Sequence, residues 1–273
     1  MLDIINQNGM LLLGCGKMGS AMLAGWLRQG VQPSAVWVND PQPSDFVTNL
    51  ASQGLHLNAT LPAAPALCVI AVKPQMMGAA LPAIAALGAG QTLFVSIAAG
   101  TTLAALQTAL GASARIIRAM PNTPAAISKG ITAIIGNAHA TDADLALAES
   151  ALAAVGQVVR LDSESQMDAV TALSGSGPAY VFHLIETMAA AGEAQGLPAA
   201  LALHLARATV AGAGALAEAA PETPGELRVN VTSPGGTTAA ALAVLMDPNS
   251  GFPPLLNKAI AAATARGKAL GQP

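Results

Sequence analysis

Met10-Leu-Leu-Leu-Gly14-Cys15-Gly16-Lys17-Met18-Gly19 is the stretch that decides the fold. Four apolar residues read as a strand buried on both faces, and a helical pattern runs from about Met18 to Gln29. Between them lies Gly-x-Gly-x-x-Gly, in the strand-turn-helix context that a dinucleotide fingerprint requires. Gly14 permits the tight turn, Gly16 lets a pyrophosphate approach the backbone, and Gly19 lets the helix pack on the strand. Lys17 and Met18 open the helix and count with the glycines as cofactor-binding candidates. An ordinary strand-to-helix turn is the plainer alternative.

Outward from this point, apolar strands alternate with helices. Ala35-Val-Trp-Val-Asn39, Leu67-Cys-Val-Ile-Ala-Val72, Thr92-Leu-Phe-Val-Ser-Ile97 and Arg115-Ile-Ile-Arg-Ala119 are apolar on both faces, as in a parallel sheet covered by helices. A strand pair at 130–136 and 157–161 continues the pattern around a helix near Asp142 to Val155. The expected fold is α/β: a Rossmann-like parallel-sheet domain over residues 1–163, then an all-α domain over 164–273. In the second part Val181, Leu184, Ile185 and Met188 form one helical stripe after Gly177-Pro178. Further helices are expected from Pro198 to about Ala220, around Glu226 to Val231, from Thr237 to Met246 and from Phe252 to Leu270, divided by Pro/Gly-rich separators.

Composition narrows the function. Twelve basic and fifteen acidic residues leave a formal charge of −3, and no Lys/Arg block tracks a phosphodiester backbone, so nucleic acid is not an expected partner. Only 10% of residues are charged against 53% hydrophobic, which implies helix surface packed on another subunit. No stretch reads as the roughly 18–20 uninterrupted apolar residues of a membrane span. The N-terminal residues lack a basic n-region, so the expectation is a soluble, cytoplasmic protein. Cys15 and Cys68 fall in apolar strand-like segments and read as core residues rather than a disulfide.

Ligand chemistry is expected where strands end. About 20 residues after the fingerprint comes Asn39-Asp40. Asp40 suits the adenine ribose diol of NADH; Asn39 and Ser44 could instead bond a 2′-phosphate, and Asp40 also reads as a plain turn residue before Pro41. The choice between NADPH and NADH stays open here. Ala71-Val72-Lys73-Pro74 closes another strand, with Lys73 a candidate ribose contact. Ala98 and Ala99 leave room for a nicotinamide, and Asn122 offers an amide to bond it; simple turns are the alternative at both places. Far along the chain, Ser233-Pro234-Gly235-Gly236-Thr237-Thr238 precedes an apolar helix, gathering backbone N–H groups and hydroxyls at a helix N-terminus, a cradle for a small carboxylate or phosphate. His183 and His204 have no partner at metal-ligand spacing, and no metal site is expected.

Five segments in one order, GCGKMG (14–19), AVKPQ (71–75), MPNTP (120–124), LSGSGPAY (173–180) and SPGGTT (233–238), make the whole chain resemble pyrroline-5-carboxylate reductase. The resemblance implies NADPH- or NADH-dependent reduction of 1-pyrroline-5-carboxylate to L-proline, a homodimer with interleaved helices, and further assembly into a homodecamer. Imine reduction needs hydride at the ring carbon, a proton at nitrogen and a clamp on the carboxylate. Thr238 suits the nitrogen; the N–H groups of Gly236 and Thr237 and the Ser233 hydroxyl, with Gly235 in the turn, suit the carboxylate. The resemblance also suggests a substrate or cofactor contact at Glu164, which equally reads as a residue favourably placed at a helix N-terminus, and a cofactor-side contact at Asn230. Two positions depart from the family: Arg228-Val229 stand where members commonly have Lys-Asp, and Asp40 stands where many bacterial members look basic. Another NAD(P)-dependent reductase of a small carboxylated imine or carbonyl compound is the alternative. A 3-hydroxyacid dehydrogenase would need a catalytic lysine in the helical part, yet none lies between residues 163 and 257. A non-catalytic nucleotide-binding regulator would not need the intact cradle.

Overall fold

The computed structural model describes residues 1–271. In chain order its first elements are α1 (Leu2–Asn8), β1 (Met10–Leu13), α2 (Lys17–Arg28), β2 (Val36–Asn39), α3 (Asp45–Ala51), β3 (His56–Leu57) and β4 (Leu67–Ile70). They are followed by α4 (Met77–Ala80), β5 (Leu93–Ser96), α5 (Leu103–Leu110), β6 (Arg115–Met120), β7 (Gly130–Gly136), α6 (Asp142–Leu152), β8 (Gly156–Arg160) and α7 (Met167–Val170). The strands make one sheet in the order β3-β2-β1-β4-β5-β6-β7-β8. Strand order reverses between β1 and β4, the switch point where dinucleotides bind in such sheets.

The sheet departs from all-parallel at one place. β7 runs antiparallel to β6, with Ala119 opposite Ile134, whereas β8 is parallel to β7. The link from β6 to β7 spans only residues 121–129 and contains one 3-10 turn, Thr123–Ile127, too short for a parallel crossover. The β7-to-β8 link carries α6 and restores the parallel direction.

Alternation along the strands supplies two apolar layers. Met10 and Leu12 join Val38, Val69, Val95 and Ile117 on one face, while Leu11 and Leu13 join Cys68, Ile70, Phe94 and Ile116 on the other. Both cysteines are buried and free, as core residues should be. On the first face Trp26 of α2 is fully buried, and its indole N–H donates to Ala151 O of α6 at 2.8 Å. α6 begins in a capping box between Thr141 and Asp144, and Asp144 pairs with Arg115 of β6 at 2.7 Å.

Two compact units emerge from the contacts of the described residues: residues 1–175 with 264–271, and residues 176–263. The sequence reading divides the chain at 163 instead. Residues 164–175 group with the sheet because Glu164 binds Arg118 and the α5 N-terminus, and because Met167 and Ala172 are each 1% exposed. The second unit holds α8 (Gly177–Ala194), α9 (Ala199–Ala219), α10 (Pro224–Asn230), α11 (Thr237–Leu245) and the first part of α12 (Phe252–Leu270), whose last turns belong to the sheet unit. α8 and α9 meet along small residues: Ala189, Ala202 and Ala206 are buried, and Gly192 lies so near Ala202 that a side chain there would come within 3.3 Å of its Cβ. The sequence of α9 is interrupted by His204, Arg207 and two glycines, so it is not an unbroken apolar run. Its 21 residues have a mean hydropathy of 1.4 over the best window, enough by length and composition alone for a membrane span.

Candidate functional site

In the sheet unit, parallel β1, β2, β4, β5 and β6 bring five loops to one edge. Backbone bonds set them side by side: Gly14 N–H donates to Asn39 O (2.8 Å), Ala71 N–H to Leu13 O (2.8 Å) and Ile97 N–H to Ile70 O (3.0 Å). Gly14 adopts φ +84°, and a Cβ there would strike Val72 Cγ1 at 2.8 Å, so this position demands glycine. A Cβ on Gly19 would meet Gly14 O at 2.8 Å, the close helix-to-strand approach read from the sequence. Gly16 is exposed and a Cβ there would meet nothing within 4 Å, which leaves an open backbone face at the N-terminus of α2 for a pyrophosphate. Lys17 and Met18 are the first two residues of that helix.

Around this turn the structure places the other candidates. Asp40 follows β2, and its carboxylate accepts from Cys15 N–H at 2.6 Å and Gln42 N–H at 2.8 Å. It therefore ties the fingerprint to its own turn. Cys15 is buried beside it: burial raises the thiol pKa, the Ser20 hydroxyl opposes that, and Asp40 adds to it, so the group stays a neutral thiol. Ser20 also donates to Cys15 O at 3.0 Å. Lys73 is exposed and caps a 3-10 turn starting at Pro74, directly after Ala71-Val72. Ala98 is buried and Ala99 half-buried after β5, and this turn is backed by α12, where a Cβ on Gly100 would lie 3.5 Å from that of Leu270.

Two candidates have structural partners that the sequence did not disclose. Asn122 uses Oδ1 to accept from Ile131 N–H (3.0 Å) and Nδ2 to reach Ser174 Oγ (3.4 Å), so it fastens β7 to a π-helical turn at Thr171–Gly175. Glu164 Oε1 accepts from Leu103 N–H and from Arg118 Nη1, both at 2.8 Å. Neither bond reaches toward a ligand: Glu164 caps α5 and neutralises Arg118, whose side chain is 6% exposed. The helix N-terminus it meets is that of α5, in addition to opening its own 3-10 turn. Arg118 itself went unremarked in the sequence, although a lone cation inside an apolar strand is a signal. Asn58 was also missed. At φ +48° it accepts from Asp40 N–H (2.9 Å) and donates to Asp40 O (2.8 Å), fixing the backbone that carries the carboxylate.

The helical unit holds the second half. Ser233 O accepts from Gly236 N–H at 3.0 Å, Pro234 follows Ser233, and Gly235 has φ +65°, the features of a type II turn. This corrects one expected donor: Gly236 N–H is committed to the turn. Gly236 then serves as the N-cap of α11 and offers no side-chain acceptor. The N–H groups of Thr237, Thr238 and Ala239 consequently lack acceptors within the helix. The hydroxyls of Ser233 and Thr238 form no hydrogen bond among the described residues, and Ser233, Gly235 and Thr237 are exposed while Gly236 and Thr238 are half-buried. Asn230, exposed, ends α10 just before this turn. The departing pair Arg228-Val229 lines a groove of ≈ 420 Å³ with Thr232, Ala239, Leu242 and Met246, and Arg228 Nη1 lies 3.3 Å from Met246 Sδ.

Comparison with known proteins gives a consistent result. The family model described as pyrroline-5-carboxylate reductase dimerisation matches residues 164–270, and one described as NADP oxidoreductase, coenzyme F420-dependent, matches residues 10–100. A pyrroline-5-carboxylate reductase of Pseudomonas aeruginosa is 38% identical, covering 95% of this chain and 96% of that protein. The Pisum sativum enzyme of the same name is 37% identical over 99% of both chains. Among solved structures, a pyrroline-5-carboxylate reductase from Coxiella burnetii aligns with a TM-score of 0.90 at 33% identity, covering 98% of this chain and 100% of that one. One from Plasmodium falciparum with NADP bound aligns with a TM-score of 0.83 at 27% identity, covering 98% and 99%.

Proposed function

Because this chain belongs to the pyrroline-5-carboxylate reductase family, we propose that its Ser233–Thr238 turn holds the substrate of that reaction and that the fingerprint edge of its sheet holds the cofactor. The activity is NADPH- or NADH-dependent reduction of the C=N bond of 1-pyrroline-5-carboxylate to L-proline. The observation that carries the substrate assignment is the glycine N-cap of α11. A Ser, Thr, Asp or Asn there would satisfy the helix's own N–H groups, whereas Gly236 leaves them for a ligand.

The N–H groups of Thr237 and Thr238, with the Ser233 hydroxyl, clamp the substrate carboxylate, and the positive end of α11 favours its charge. The Thr238 hydroxyl hydrogen-bonds the ring nitrogen and orients the imine; the nitrogen takes its proton from solvent, and the hydroxyl oxygen accepts from the N–H so formed. When bound, the reduced nicotinamide supplies the hydride to the ring carbon. Gly14, Gly16, Lys17, Met18 and Gly19 receive the pyrophosphate, Asn39, Asp40 and Ala71–Pro74 border the ribose side, and Ala98 and Ala99 leave room for the ring. Asn122 and Glu164 act through the backbone they hold, and the family resemblance makes Asn230 a further cofactor contact.

The division of labour runs along the chain, with residues 1–163 for nucleotide and 164–273 for substrate and subunit contact. The match to a dimerisation family and the apolar helices support a homodimer, with a homodecamer as further assembly. The slightly negative charge, with no Lys/Arg block, supports a protein without a nucleic-acid partner, and we propose that it works in the cytoplasm, away from membranes. The test is to incubate purified protein with 1-pyrroline-5-carboxylate and either reduced cofactor, following nucleotide oxidation and L-proline formation. Absence of proline with both cofactors would refute the reading.

A further inference from the structure

We propose that Asp40 makes this reductase prefer NADH to NADPH, its carboxylate receiving the adenine ribose diol and opposing a 2′-phosphate. The inference rests on the reading of the sheet edge as a dinucleotide site and adds the identity of the nucleotide.

Position is the first argument. Asn39 pairs with Leu13 in the sheet register, and Gly14 N–H donates to Asn39 O, so the residue that follows lies beside the first turn of the fingerprint. An acidic residue after the second strand is where such folds meet the adenine ribose. Asp40 is half-buried and lies outside the apolar core. Rigidity is the second argument. Cys15 N–H and Gln42 N–H hold one carboxylate oxygen each, and Asn58 holds the Asp40 backbone through both of its amide atoms. An ionised carboxylate accepts about four hydrogen bonds, so about two sites remain for two ribose hydroxyls.

Charge is the third. A 2′-phosphate is an acceptor only and would face an acceptor of like charge. No Lys or Arg lies between Arg28 and Lys73 to offset this, and Lys73 follows β4, which lies beyond β1 from β2 in the sheet. Arg28 is at the far end of α2 from the fingerprint and bonds Ser128 Oγ at 2.9 Å. Lys17 opens α2, where the pyrophosphate meets the helix. α3, the next helix, adds a second carboxylate, Asp45, in its first turn.

The experiment titrates the full-length protein with NAD⁺ and with NADP⁺ by calorimetry, and measures kcat/KM with NADH and NADPH, for the wild type, Asp40→Asn and Asp40→Ser. Asparagine keeps an acceptor for Cys15 N–H and removes the charge. The wild type should bind NAD⁺ at least about tenfold more tightly than NADP⁺, and both variants should lower that ratio about tenfold or more, with kcat/KM following. A purely structural Asp40 would weaken both nucleotides together and leave the ratio unchanged, which would overturn the proposal. So would a wild type that binds NADP⁺ as tightly as NAD⁺. If that protein still forms proline, the reductase reading survives and the role of Asp40 alone falls; if neither nucleotide binds, both fall.

Discussion

The sheet unit and the helical unit bury their apolar residues in opposite ways. In the first, strands and helices enclose two continuous layers, and Leu12, Phe94 and Ile116 are 0% exposed. In the second, only Ala189, Ala202 and Ala206 appear among the buried hydrophobics, while Phe182 is 58%, Leu216 54% and Val244 71% exposed. Exposed apolar surface on that scale marks an interaction site. The contrast teaches that the first unit draws its stability from within and the second from association, in keeping with the dimerisation family it matches.

The largest effect should come from breaking association. Leu201 and Leu205 lie one turn apart on α9 and are 44% and 46% exposed. Replacing both with Glu should convert an oligomer into a monomer in sedimentation and abolish activity. Full activity in a stable monomer would overturn the contrast. As its counterpart, Leu12→Ala should cost about 2–5 kcal/mol of unfolding free energy at any protein concentration, whereas the wild-type Tm should rise with concentration.

Next in size is Thr238→Ala, which should lower kcat by roughly 10²-fold and leave NAD(P)H binding nearly unchanged. Thr238→Ser keeps the donor and should stay within about tenfold of wild type. Equal loss in both would remove Thr238 from the chemistry. Smaller still, Glu164→Gln leaves Arg118 without its countercharge and should destabilise by about 1–3 kcal/mol in urea unfolding. A selective rise in substrate KM at unchanged stability would instead restore Glu164 to the substrate.

The smallest effect is a titration. Hydrogen bonds from the Thr223 backbone, then from its hydroxyl, hold the Glu226 carboxyl below its ordinary range. Its contribution is therefore present above the unfolded carboxylate pKa and is lost as pH falls through the lower folded value. NMR of the Glu226 side chain should show that depressed midpoint, accompanied by fraying of α10. An unshifted midpoint would dismiss the capping box.

Much of this was legible in the sequence because it depended on local pattern. Gly14 and Gly19 meet the steric requirement their spacing implied, and Gly16 leaves an open backbone face. The apolar runs became β1, β2, β4, β5 and β6, and Phe252–Leu270 became a helix over the expected span. Hidden features depended on contacts made at a distance. α1 and the two-residue β3 are too short to show a period, and the reversal of β7 follows from the length of a link rather than from the composition of a strand. The partners of Glu164 lie 61 and 46 residues away, beyond any local rule. Gly236 was misassigned as a donor because sequence alone does not tell which N–H closes the turn.

Residues 264–271 return to the sheet unit after the whole helical unit has been traversed, and Leu270 lies behind the Gly100 turn. On the ribosome this separates the making of the unit from its completion. The fingerprint and its strands emerge early and can begin to fold as they appear. The turn that ends β5 gains its backing only after every residue of the helical unit has been added. A chain interrupted anywhere in those helices would carry a formed nucleotide loop and an unsupported neighbouring edge, so protease sensitivity around residues 97–101 should distinguish nascent chains from finished ones.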